Sequence, residues 1–268
     1  MAVCGLTPLK STEELCMLSR LLTITAFLIV SIPSWTQEIP YTVRFVSEWS
    51  IPPAQRTAYL TYLDENVKPV FEKLSADGTV LNWGIYTTAV YDENSFSNGC
   101  WFEAATMAGI DRVLAQLGRL KQSQLITADV KHRDMLLRTT LRRSKEGSGK
   151  DGYYYFNSTL LQPTKRDQWR QWWDKYQKPM YEQFLAEGLV SMYEIEAGEI
   201  HTMDPSWVYL AYVAPSAEAL DKINAAFQAR GNKRNAEESR AISDAYDAVI
   251  VAGSHRDYLA HANSYAQK

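Results

Sequence analysis

Asp64-Glu-Asn-Val-Lys-Pro-Val-Phe-Glu-Lys-Leu-Ser-Ala-Asp-Gly78 and Asp174-Lys-Tyr-Gln-Lys-Pro-Met-Tyr-Glu-Gln-Phe-Leu-Ala-Glu-Gly188 are variants of one segment, 110 residues apart in the same chain. Asp64, Lys68, Pro69, Glu72, Ala76 and Gly78 recur as Asp174, Lys178, Pro179, Glu182, Ala186 and Gly188 without a gap. Working outward, Pro53, Arg56, Val80 and Ile85 keep the same offset to Pro163, Arg166, Val190 and Ile195. Identity at a fixed spacing marks a tandem structural unit. His132-Arg133-Asp134 and His255-Arg256-Asp257 continue the correspondence at a larger offset, because the second half carries an insertion before its triplet. Ser144 to Gly152, built of small and charged residues, reads as a flexible connector between a first repeat over 41–143 and a second over 153–265.

Each half reads as βαββαβ. Tyr41 to Trp49 and Tyr153 to Leu161 are rich in aromatic and β-branched residues and run into prolines that stop pairing. Tyr59, Tyr62, Leu63, Val67, Val70, Phe71 and Leu74 fall on one helical face, as do Trp169, Trp172, Trp173, Met180, Tyr181 and Phe184. Such stripes predict core packing against a sheet. Thr164 and Asp167 have the spacing of a capping box. Pro69 and Pro179 lie inside these helical patterns, where proline removes a hydrogen bond and clashes with the preceding turn, so a kink or break is expected in both helices. Gly78 and Gly188 supply the stops.

Val80 to Tyr91 and Cys100 to Met107 predict one hairpin, and Val190 to Ile200 and Trp207 to Ala214 another, with turns at Asp92-Glu-Asn-Ser and His201-Thr-Met-Asp-Pro205. Helical periodicity returns at Ile110 to Gln122 and Ala217 to Arg230, and the insertion Ala236 to Ala252 is itself amphipathic. Asp134 to Arg142 and Asp257 to Tyr265 are expected as final strands.

This element order, duplicated and with aromatic-rich strands, resembles the dimeric α+β barrel superfamily. That group includes antibiotic-biosynthesis-type monooxygenases, EthD-like and stress-responsive proteins, and the chlorite dismutase and haem-handling proteins. The resemblance implies an α+β fold of two tandem ferredoxin-like units packed sheet to sheet as a pseudo-dimeric barrel. It also implies a ligand cavity between the sheets or between sheet and helices. In the haem-degrading branch an Asn on a first strand, a Trp on a third and a His near the second helix act together. Asn157, Trp207 and His255 match in type and order, although the Trp207 to His255 interval is longer than that pattern. The chlorite dismutase group implies a haem-ligating His in the second half, which leaves His201, His255 and His261 open.

The chain of 268 residues carries 28 Lys and Arg against 31 Asp and Glu, and its basic residues do not form the patch that phosphate neutralisation needs, so nucleic acid is an unexpected partner. Arg20, the apolar run Leu21 to Ile32 and Ser34-Trp35-Thr36 have the layout of a signal peptide, giving a leader over 1–36 cleaved near Thr36. The run is too short to span a bilayer, which takes about 20 apolar residues. An uncleaved anchor or a buried helix is the alternative, and Met17 competes with Met1 as the start. Of three cysteines, Cys4 and Cys16 fall in the leader and Cys100 stands alone, so no disulfide framework is expected.

No catalytic signature of high specificity is present. The four histidines lack zinc-ligand spacing, and no metal or resident cofactor is expected, with haem the alternative. The repeated His-Arg-Asp reads as serving the repeat's own architecture. Strand alternation places Arg44, Glu48, Asn82, Tyr86, Glu194 and Glu196 on one face and Trp83, Ile85, Tyr193 and Ile195 on the other. Such a mixed face is either a solvated surface or the wall of a polar cavity; if a barrel closes, its charges must pair, which makes Arg44 with Glu194 a candidate pair. Candidate ligand-binding residues are therefore Arg44, Asn82, Tyr86, Asn157, Glu194, Trp207 and His255.

These features predict an exported barrel that binds a small, partly apolar molecule, with an oxygenase or isomerase activity in view. A structural or interaction protein without a cavity and a haem protein are the alternatives. Export sets the first test. The mature chain is expected to begin near Gln37, and an intact mass that retains Leu21 to Ile32 in the exported protein would overturn that.

Overall fold

The computed structural model describes residues 41–90, 96–121, 130–200 and 204–268. The leader, the turn at Asp92 and His201 lie outside the described residues. The first half begins with β1 (Thr42–Trp49), then a short 3-10 turn and α1 (Arg56–Tyr62), which runs through a π-helical segment, Leu63–Val67, into α2 (Lys68–Ala76). β2 (Asn82–Val90), β3 (Asn98–Ala104), α3 (Met107–Leu117) and β4 (His132–Ser144) follow. β5 (Gly147–Gly149) leads to β6 (Gly152–Leu160), α4 (Arg166–Tyr176), α5 (Lys178–Glu187), β7 (Met192–Gly198) and β8 (Trp207–Ala214). The chain closes with α6 (Ala217–Asn232), α7 (Ala236–Asp247) and β9 (Arg256–Gln267).

The expected disturbance at the two prolines takes a different form in each half. In the first, a π-helical turn absorbs it and the helix continues; in the second, the chain breaks at Gln177 between α4 and α5. Both prolines stand in the first turn of the helix that follows, where a missing N–H forfeits no bond. Gly188 caps α5 in the left-handed region at φ 74°, and Gly78 follows α2 at φ 81°, conformations that disfavour a Cβ. The capping box expected at Thr164 and Asp167 does not form. Thr164 itself adopts φ 65°, Lys165 occupies the cap position, and no side chain caps the helix.

Strand order is β2-β3-β1-β4 in the first half and β7-β8-β6-β9 in the second. Register corresponds as well: Val43 lies opposite Ala104 and Phe45 opposite Leu136, while Tyr153 lies opposite Ala214 and Tyr155 opposite Leu259. The two sheets do more than face each other. Arg143 of β4 pairs with Tyr193 of β7, and Ala266 of β9 with Trp83 of β2, so both edges are joined into a closed antiparallel barrel of eight strands. Among the described residues, closure leaves no long unpaired edge in the barrel, the usual hazard of an open sheet.

The connector is not a free tether. β5 pairs with the end of β9, Lys145 N–H donates to Ser191 O, and Lys145 Nζ bonds Ala186 O. Its glycines give the segment the look of a linker, but they also let Tyr265 lie across the backbone, where a Cβ on Gly149 would come within 2.4 Å of the Tyr265 hydroxyl.

Alternation gives the sheet two apolar faces. Outside, Phe71, Val80, Ile85 and Phe102 are buried under α1 to α3, and Trp173, Phe184, Val190 and Tyr193 under the helices of the second half. Inside, Trp101, Tyr154, Phe156, Met192 and Tyr209 fill much of the barrel. Each such side chain contributes roughly 1.5–3 kcal/mol by leaving water. Because the interior layer and the two closing ladders are shared between halves, residues 37–147 and 150–268 expressed separately are expected to aggregate or remain molten. Cooperative unfolding of each isolated half at the midpoint of the full chain would refute this.

Candidate functional site

Arg44 is fully buried in the barrel interior, against Glu194 Oε2 at one guanidinium nitrogen and 3.1 Å from Glu196 Oε1 at Nε. Its Nη1 donates to the Tyr154 hydroxyl at 3.2 Å, and its guanidinium lies 3.9 Å from the centre of the Trp101 ring. Arg142 donates to Glu103 Oε2 at 2.7 Å, and the same carboxylate accepts from Asn82 at 2.7 Å and from Thr42. The expected Arg44–Glu194 pair thus belongs to a group of two arginines and three carboxylates. Their contacts divide by quality. Glu103 is held by aligned hydrogen bonds, whereas the oxygens of Glu194 and Glu196 lie at ion-pair distance from Arg44 without hydrogen-bond alignment, so Coulomb attraction alone holds them.

Protonation follows from that division. Burial pushes all three carboxyls up. At Glu103 the attraction of Arg142 and Arg44 and the bonds from Thr42 and Arg142 outweigh burial, and it lies below its ordinary value. At Glu194 burial wins over Arg44, aided by the neighbouring carboxylates, and holds it well above the normal range. Glu196 is raised to about 7 by burial, against the pull of Arg44. The upward shifts of Glu194 and Glu196 both reduce the buried negative charge that faces the two arginines.

Nearer the other end of the barrel, Tyr86 donates to Glu48 at 2.7 Å and Arg133 holds the same carboxylate through Nε at 2.9 Å. Beside them lies a space of about 40 Å³, bounded by Phe96, Tyr154, Phe156 and Tyr258. That is room for a few waters.

A larger cavity, about 350 Å³, lies on the opposite face of the sheet, between β6, β8 and the second half's helices. Trp169, Trp172 and Trp173 of α4 wall it with Tyr181 and Tyr246, and Gln177 lines it at the break between α4 and α5. α7 contributes Tyr246, 4.7 Å ring to ring from Trp172, and its Ile242 carbonyl accepts from the Trp172 indole at 3.2 Å. A capping box at Asn235 and Glu238 starts that helix.

The polar end of this cavity is formed by strand neighbours. Asn157 and Asp257 are opposite one another in the β6–β9 ladder. Asn157 Nδ2 donates to Asp257 Oδ1 at 2.7 Å and lies 3.0 Å from His255 Nε2, which is itself 3.0 Å from Asp257. Tyr155 donates to the same carboxylate. Partial burial raises Asp257, but the bonds from Tyr155, Asn157 and His255 outweigh it and hold it below its ordinary value. Tyr155 is pushed above the normal phenol range by burial and by its bond to Asp257. The arrangement is an anchored anion beside an imidazole, at the mouth of an aromatic slot.

The seven candidate residues divide between the two faces. Arg44, Asn82, Tyr86 and Glu194 point into the barrel, and Asn157 and His255 meet on the outer face. Trp207 does not join them. Val208 and Leu210 line the outer cavity, so alternation turns Trp207 inward, where it stacks near Tyr209 at 6.5 Å. Sequence reasoning missed Tyr155 and Asp257, although the two-residue spacings to Asn157 and His255 place them on the same faces. It also read the α4 tryptophans as core only. The His-Arg-Asp triplets tie neighbouring strands: Asp134 accepts from Ser47 as Asp257 accepts from Asn157, while Arg256 bonds the Gly253 carbonyl at 2.7 Å.

His255 lines the cavity, with Asn157 Nδ2 at 3.3 and 3.0 Å from its two ring nitrogens. His261 stacks 5.2 Å from Tyr153, and among the described residues no three His, Cys, Asp or Glu side chains are grouped to hold a metal ion. No described helix is long and apolar enough to cross a membrane.

No protein-family model matches the chain, and no curated protein matches it in sequence. Solved structures do. A provisionally assigned monooxygenase from Lactobacillus acidophilus NCFM superposes with a TM-score of 0.58 at 11% identity, over 84% of this chain and 96% of its own. Another from Fusobacterium nucleatum gives 0.58 at 8% identity, over 85% and 94%. A haem-binding protein from Thermus thermophilus gives 0.46 at 13%, over 86% and 94%, too distant to support an inference. The first two show the fold: a dimeric α+β barrel architecture.

The interior charges set a pH test. A carboxyl raised from 4.5 to about 7 by folding stabilises the native state in acid, and that contribution is lost as pH rises from 4.5 through 7. The Tm is expected to fall between pH 5 and 8. Glu196→Gln should flatten the drop and leave the variant the more stable protein at pH 8, whereas Glu103→Gln, which strips Arg142 of its partner, should cost about 3 kcal/mol at any pH in this range. A Tm that rises from pH 5 to 8 would contradict the assignment.

Proposed function

We propose that this chain is a small-molecule-binding α+β barrel, exported after loss of its leader and built by tandem duplication of a ferredoxin-like unit. Its ligand site is the cavity of the second half. The observation that carries this reading is the aromatic slot of about 350 Å³ that ends at Asn157, His255 and Asp257. Ligand sites are mostly apolar concavities with a few placed polar groups. Faces of tryptophan and tyrosine select a planar aromatic ring, and the polar end selects a hydroxyl or carbonyl substituent on it.

The same groups suit proton removal. A ligand hydroxyl delivered to His255 meets an imidazole that accepts its proton, and anionic Asp257 stabilises the imidazolium that results. Withdrawing a proton from a hydroxy-aromatic ring is a step that oxygenases and isomerases share. The neighbours assigned as monooxygenases agree with an oxygenase reading, although a shared fold is a weak warrant for chemistry. A solid structural protein accounts for the packed barrel interior but not for the outer cavity.

2-Naphthol, planar with one hydroxyl, is a suitable probe. It is expected to quench tryptophan fluorescence saturably, with His255→Ala and Asn157→Ala each weakening binding roughly tenfold, the equivalent of about 1.4 kcal/mol. Trp207→Phe, on the other face of the sheet, should leave affinity unchanged. Affinity indifferent to both cavity variants, or no saturable binding, would defeat the proposal.

A further inference from the structure

The polar cluster at the cavity has a counterpart in the first half. Ser47 lies 3.0 Å from His132 Nε2 and donates to Asp134, much as Asn157 meets His255 and Asp257, and His132 is 2.9 Å from Asp134. The surrounding positions also correspond. Trp49 lies opposite His132 in the β1–β4 ladder, and Thr159, at the 110-residue offset from Trp49, has its hydroxyl 3.5 Å from His255 Nδ1.

What differs is the filling. The Trp49 indole stacks on the His132 ring at 4.7 Å and meets the edge of Tyr59 at 5.9 Å. Beneath it Tyr59 and Leu63, the counterparts of cavity-lining Trp169 and Trp173, are each 1% exposed. In the second half a threonine replaces this ring, the helix breaks at Gln177, and α7 supplies Tyr246 as a wall.

We infer that the first half retains a second, latent site for the same class of planar hydroxy-aromatic ligand, held shut by the Trp49 side chain, so that the chain binds one ligand where its architecture provides for two. This rests on the second-half cavity being the ligand site. Cys100 offers a reporter that does not. It lies opposite Ser47 in the β1–β3 ladder, corresponds to cavity-lining Leu210, and is 5% exposed. Burial raises its thiol to about 12, so in the native protein it is poorly reactive.

The test uses the full chain, 2-naphthol as ligand, and N-ethylmaleimide labelling of Cys100 read by peptide mapping. Trp49→Thr is expected to raise the stoichiometry from one to two 2-naphthol per chain and to speed Cys100 labelling at least tenfold with cooperative melting retained. Thr159→Trp, the reciprocal change, should abolish binding at the second-half cavity. Trp49→Thr combined with His255→Ala should keep one equivalent of tight binding. Folded Trp49→Thr protein that labels as slowly as wild type would overturn the closure by Trp49, whether or not 2-naphthol binds. Should Trp49→Thr prove unfolded, Thr159→Trp decides: undiminished binding to it overturns the inference, and loss of binding upholds it. Absence of 2-naphthol binding to wild type would count against the ligand site itself, while the labelling comparison still decides the role of Trp49.

Discussion

Arg44 has no access to water, and neither do the carboxylates around it. A charge in that position is tolerable only when it is neutralised on the spot, since desolvation costs several kcal/mol per ion. The neutralisation comes from both halves of the chain: Glu103 and Arg142 belong to β3 and β4, Glu194 and Glu196 to β7. The β4–β7 ladder brings the charges of the second half within reach of Arg44. Closure in turn fixes the register of β4 on β7, because a slip of one residue would turn the glutamates outward and leave Arg44 alone. The interior charges thus specify which arrangement of strands is acceptable, more than they add to its stability.

With the interior so occupied, space for a ligand is left on the other face. There the two halves use the same strand positions with different side chains. A ring at Trp49 completes a packed layer, while a hydroxyl at Thr159 leaves a slot that three tryptophans and α7 enclose. A single position on the first strand of each half thus separates packing from recognition. The helix break matters equally, since a π-helical turn keeps Leu63 and Val67 buried, whereas the break turns Gln177 towards the cavity.

Much of this was legible before the structure. Hydrophobic period two and period 3.6 located the strands and helices, and alternation along β1 and β7 put Arg44, Glu194 and Glu196 on one face. The limits have physical causes. Glu103 and Arg142 complete the charge balance through inter-strand register, which no local pattern encodes. The Trp169, Trp172 and Trp173 stripe looks the same whether it meets a packed sheet or a cavity wall, because both require an inward apolar face. Asn157 and His255 come together through the β6–β9 ladder, across 98 residues of chain. Trp207 lies on the other side of its strand from the cavity-lining Val208 and Leu210, a facing that the residue order alone does not fix. Thr164 failed as part of a capping box because the chain reverses there through a left-handed conformation.

The two ladders that close the barrel, β4 with β7 and β2 with β9, join one half to the other through main-chain bonds that carry no record of which molecule supplies each half. Two chains exchanging halves would satisfy the same register, the same charge balance and the same aromatic layers. Selection between a closed monomer and a swapped dimer therefore falls to the connector, which sets the local concentration of one half around the other. β5 is pinned to β9, which shortens the free length of that connector to the few residues between β4 and β5.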